Sequence, residues 1–110
     1  MSFLALSGCV RLAPASLVGS VWESSDSVRM VQENIMTTRI ATTTFTFINE
    51  RECTENVSYS FGTGYVGSAF STGFYTIKGN RVNMVFAYRE EIGKFCGEAL
   101  IVRKVWHKRK

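Results

Sequence analysis

Between Thr42 and Phe61 the chain alternates polar and apolar residues in two runs, separated by Asn49-Glu50-Arg51-Glu52. In the first run Thr44-Phe45-Thr46-Phe47 has period two, and both residue types favour a pleated surface. In the second, Cys53, Val57, Tyr59 and Phe61 share one face, with Glu55 the exception. Thr54, Asn56, Ser58 and Ser60 share the other. One apolar face and one wet face mark a strand of an antiparallel sheet.

The rest of the chain extends this pattern. Leu17 to Ser24 predicts a first strand, Ser24 to Ser27 with Asp26 a turn, and Val28 to Gln32 a short second strand, while Glu33 to Thr38 is ambiguous. Gly62, Gly64 and Gly67 break the alternation and predict bulges or a loop. Ser71 to Lys78 leads into Gly79-Asn80, a two-residue hairpin signal. Val82, Met84, Phe86 and Tyr88 alternate with Asn83, Val85, Ala87 and Arg89. Glu90 to Lys94 predicts a turn, and Phe95 to Trp106 a last strand with Leu100, Val102 and Trp106 on one side. No long segment repeats apolar residues at helical spacing. About seven or eight short strands, with turns roughly every ten residues, predict an all-β fold. Closing the sheet removes exposed edges, so the expected architecture is a single small antiparallel up-and-down barrel.

At 110 residues there is room for one domain, and 45% hydrophobic with 20% charged residues excludes a disordered chain. The net charge of +4 is unevenly spread. Arg103, Lys104, Lys108, Arg109 and Lys110 crowd the C-terminus, and without them eight basic residues face nine acidic ones. The expected boundaries are a leader remnant and linker over 1–16, a barrel over 17–107 and a solvated basic tail over 108–110. Nucleic acid is not an expected partner, because the aromatics interleave with Thr, Ser and Asn rather than with Lys and Arg.

Candidate chemistry is sparse. The chain has one histidine, His107, and one aspartate, Asp26. His107 lies near the chain end, a poor place for a rigid Ser-His-Asp or Cys-His site. Glu90-Glu91 are sequence neighbours that point apart in a strand or are solvated in a turn. The cysteines lack CxxC spacing, so neither a metal site nor a cofactor is expected, and the chain does not read as an enzyme.

The segment Leu6-Ser7-Gly8-Cys9 resembles the lipobox of bacterial lipoproteins, in which a small-residue pair precedes a lipidated cysteine. That resemblance implies a lipid anchor on Cys9 and a place in the periplasm or outer membrane. No stretch approaches the ~20 apolar residues of a membrane-spanning helix. With Cys9 lipidated, Cys53 and Cys96 remain. They either form a disulfide, worth ~4 kcal/mol by loop entropy, or are two separate buried thiols.

Leu17-Val18-Gly19-Ser20-Val21-Trp22, Gly73 to Val82 and Gly97 to Val102 resemble the opening strand, late hairpin and closing strand of small lipocalin-like domains of envelope lipoproteins. The resemblance implies a small barrel of about seven or eight strands, plugged at one end by Trp22, with a binding or accessory role and no particular ligand. Phe45, Phe47, Tyr59, Phe61, Tyr75, Phe86 and Tyr88 either line an apolar pocket or are the packed core that a small β-domain needs. Two functions follow. One is a lipid-anchored module binding a small apolar ligand or a protein partner. The other is a structural or inhibitory interaction module with a filled barrel, working through loops such as Gly62 to Thr72.

Overall fold

The computed structural model describes residues 17–62 and 66–110. The linker, the lipobox-like segment and Cys9 lie outside the described residues. Eight strands follow one another: β1 (Val21–Gln32), β2 (Ile35–Phe47), β3 (Glu52–Phe61), β4 (Val66–Lys78), β5 (Arg81–Phe86), β6 (Glu90–Cys96), β7 (Ala99–Val102) and β8 (Val105–Arg109). Each pairs antiparallel with the next, and β8 closes on β1, giving the expected up-and-down barrel.

Several boundaries differ from the expected ones. Ser24 to Ser27 is not a turn. β1 runs straight through it, with Ser24 to Ser27 paired to Thr43 to Ile40. The β1–β2 turn is instead Glu33-Asn34, with φ of 52° and 66°. Two consecutive positive φ angles make the type I′ geometry that matches strand twist. Arg103-Lys104, at 51° and 65°, repeats it between β7 and β8. That turn interrupts the expected last strand and exchanges its faces, so Trp106 is exposed and His107 is buried. Glu90 to Lys94 lies within β6, and the preceding link is Ala87 to Arg89. Gly79, with φ of 64°, opens the expected hairpin. Nor are residues 108–110 a free tail: Lys108 and Arg109 pair with Glu23 and Trp22, and Lys110 N donates to Val21 O at 2.8 Å.

The strands have unequal lengths, and this divides the barrel. β1 pairs with β8 only through Trp22 and Glu23, and β5 covers only Gly73 to Lys78 of β4. The wall is therefore continuous at one end. At the other, β1 to β4 project as an open four-stranded sheet. The closed end is filled by Trp22, Phe45, Phe47, Met84, Phe95 and Leu100, all fully buried. Trp22 packs against Phe95 at 5.4 Å between ring centroids and donates from Nε1 to Ser20 Oγ at 2.9 Å. Gly73 lets β5 approach, since a Cβ there would meet the Val85 carbonyl oxygen.

Candidate functional site: a polar cavity over an ion-pair cluster

Inward positions alternate along each strand, so the chemistry inside the barrel changes with height. On β3 the inward series is Cys53, Glu55, Val57, Tyr59 and Phe61. Glu55, the apparent exception to the apolar face, points inward with the rest and is 4% exposed. It is ion-paired to Arg89, and to Arg103 at 3.1 Å. The same two arginines hold Glu91, each at 3.1 Å. Two carboxylates and two guanidiniums thus form a closed, charge-balanced ring. The ring joins β3 to the β5–β6 link, β6 and the β7–β8 turn. Arg89 also lies over the Phe86 ring, 4.5 Å from its centroid.

Above this ring the open sheet borders an open-sided cavity of about 660 Å³. Glu55, Arg89 and Arg103 line its floor. Asp26, Arg39, Thr43, Tyr59 and Ser71 line its walls, with Ala41, Val57 and Ala69 between them. Arg39 stands out. Its guanidinium lies 5.9 Å from the Tyr59 ring centroid, its Nε is buried without a hydrogen-bond partner, and among the described residues no carboxylate pairs with it. Asp26 lies two pairs along the β1–β2 ladder from Arg39, on the same wall.

The side chains singled out from the sequence separate into two groups. Phe45, Phe47, Tyr75 and Phe86 are buried in the core, so none of them lines this cavity. Tyr75 instead donates its hydroxyl to Asn49 O at 2.5 Å, pinning the β2–β3 turn. Tyr88 is fully exposed, because β5 ends two residues before it. Phe61 is half-buried near the open end of β3. Of the seven aromatics, Tyr59 lines the cavity. Trp22 sits in the closed end, with the Arg109 guanidinium 5.6 Å from its ring.

The expected Cys53–Cys96 disulfide is not formed. Cys53 is a free, buried thiol, and burial pushes its pKa up to about 11. β4 and β5 stand between β3 and β6 in the wall, a separation of three steps of ~4.8 Å, beyond the ~7 Å Cα limit for a bridge. Cys96 also falls at a position alternate to the inward-facing Gly93 and Phe95. It is disulfide-bonded, but not to Cys53.

His107 is 2% exposed and stacks edge-on against Phe45 at 5.0 Å. Its Nδ1 lies 3.0 Å from Val105 O and 3.2 Å from Leu100 O. Burial lowers its pKa, against a smaller opposing effect of those two carbonyls and with a further lowering from Arg103. His107 is therefore a neutral structural group that donates to the β7–β8 backbone.

No protein-family model, no curated protein and no solved structure matches the chain.

Proposed function

We propose that the chain is a non-catalytic binding domain that holds a small polar ligand, through a carboxylate or phosphate group, in the open half of the barrel. The observation that carries this reading is Arg39, a cation in the cavity wall with a buried and unsatisfied Nε. A buried donor without an acceptor costs ~1–3 kcal/mol, more when charged. An incoming oxyanion removes that cost and takes two parallel hydrogen bonds from the planar guanidinium. The ring below is already neutral, so it offers the ligand a rigid floor rather than a competing charge. An apolar ligand fits this chain less well, since four of the seven aromatics that would surround it, Phe45, Phe47, Tyr75 and Phe86, are spent on the core. The small barrel and the lipocalin-like segments support a binding role.

We place the domain in the bacterial envelope, on the strength of Leu6-Ser7-Gly8-Cys9 and the lipid anchor that this segment implies.

Titration with succinate, inorganic phosphate and decanol tests the ligand class, followed by the Arg39 Nε–Hε resonance. A saturable shift with succinate or phosphate, absent in Arg39→Met, is expected. Binding of decanol alone returns the apolar-ligand reading.

A further inference from the structure

The projecting part of the open sheet has two edges, and they are built differently. On β4, residues 66–72 pair with Ser60 to Thr54 of β3 on one side. β5 begins to pair only at Gly73, so among the described residues no strand lies on the other side. The orientation of the free groups follows from one bond. Tyr75 N donates to Arg51 O across the β3–β4 ladder at 2.9 Å, and the register runs without a bulge from there to Val66. Backbone polar groups alternate in direction along a strand. Those of Val66, Ser68, Phe70 and Thr72 therefore point away from β3, towards the free edge.

Exposed edges are normally protected by charge, proline or bulges. The β1 edge carries Asp26 and Arg29. The β4 edge, Val66-Gly67-Ser68-Ala69-Phe70-Ser71-Thr72, carries no charge and no proline. Beside it Phe70 is 65% exposed and Tyr88 is fully exposed. These two rings, with Phe86 and Arg89, border a cleft of about 320 Å³.

We propose that this edge pairs with the same edge of a second copy, β4 to β4, around a two-fold axis at Ala69. The sequence is self-complementary in that register. Ser68 lies opposite Phe70 of the second copy, so each large ring meets a small side chain. Val66 lies opposite Thr72, and Ala69 faces itself. Because Ser68 and Phe70 both carry edge-directed groups, they form hydrogen-bonded pairs, and Ala69 falls at the close, non-hydrogen-bonded position. The two Phe70 rings become diagonal neighbours on the outer face, within reach of each other. No charge is buried and none is opposed. The result is a continuous sheet across both copies, with both cavities left open.

Sedimentation equilibrium on the full chain across micromolar concentrations tests this, together with two variants. Phe70→Lys places like charges diagonally across the axis without touching the core. It is expected to weaken dimerisation by at least about tenfold, with the far-ultraviolet dichroism unchanged. Ala69→Cys is expected to give a reducible covalent dimer under mild oxidation, because the facing Cα atoms fall within disulfide reach, whereas Ser25→Cys on the β1 edge gives none. A wild-type chain that stays monomeric overturns the proposal. So does a dimer indifferent to Phe70→Lys, or one cross-linked through Ser25→Cys and not through Ala69→Cys.

Discussion

Glu55 of β3 and Arg103 of the β7–β8 turn meet across the inside of the barrel, with 3.1 Å between carboxylate oxygen and guanidinium nitrogen. Forty-eight residues separate them in the chain, and the contact ties the first half of the sheet to the last hairpin. With Arg89 and Glu91 it marks the level at which an apolar interior becomes a polar one. Removing one partner of a buried pair leaves the others uncompensated. Glu55→Ala is therefore expected to destabilise the domain by about 3 kcal/mol, the low end of the usual cost, since Arg103 reaches solvent. Urea unfolding of the variant against wild type checks this. A loss within ~0.5 kcal/mol, the range of ordinary surface substitutions, would reduce the ring to a surface ion pair.

Two inward glycines have unequal neighbours. A Cβ at Gly73 meets the Val85 carbonyl oxygen and lies 2.8 Å from Phe86 Cδ1. At Gly93 it meets only side-chain tips, Leu100 Cδ1 at 2.8 Å and Val82 Cγ1 at 2.9 Å. Backbone yields less readily than a methyl group. Gly73→Ala is expected to cost ~1–3 kcal/mol, and Gly93→Ala measurably less, in the same unfolding assay.

His107 gives the fold a pH dependence of definite sign. Its folded pKa lies below the ordinary 6.5, mainly through burial. Below pH 6.5 the unfolded chain takes up a proton that the folded chain refuses, so stability rises with pH in that window. The stabilisation is complete above pH 6.5, falls as pH drops below it, and is exhausted at the lowered folded pKa. In His107→Phe, which retains a ring against Phe45, the slope just below pH 6.5 is expected to vanish. Melting temperature against pH shows either outcome.

Much of the barrel was legible because period-two alternation is strong wherever one face is dry. Thr42 to Phe61 shows it, and both strands there were found. Of the turns missing from the sequence pattern, Gly97-Glu98 carries a glycine with φ of 63°, and the other two are built from residues with weak turn signals. Glu33-Asn34 and Arg103-Lys104 adopt type I′ geometry without glycine, imposed by the paired strands that flank them. Asp26 looked like a turn residue because aspartate favours turns, yet it lies in a strand on the wall of a wet cavity. Glu55 was visible as a break in an apolar face. What the sequence could not show is that Arg89, Glu91 and Arg103 come from three other elements to meet it. Arg39 gave no signal of its own, since its importance lies in an Nε left without an acceptor among the described residues.

Cys53 and Cys9 are expected to behave differently. Cys53, buried with a pKa of about 11, should resist maleimide at pH 8 in the native protein and react after unfolding. The lipid anchor proposed for Cys9 would hold its sulfur as a thioether. The intact mass of the native protein, with and without reductant, tests this. An acyl-glyceryl increment at Cys9 supports the anchor. An unmodified chain that gains alkylatable thiols only on reduction contradicts it.

Arg39, in the open half of the barrel, is proposed to hold an anionic ligand. Native mass spectrometry of the protein purified from its own cells, beside Arg39→Met prepared identically, tests it most directly. A bound small molecule on the wild type, displaced by excess succinate or phosphate and missing from a correctly folded Arg39→Met, is the predicted result. An adduct of equal occupancy on both proteins, or a wild type that takes up neither native ligand nor added anion, would contradict it.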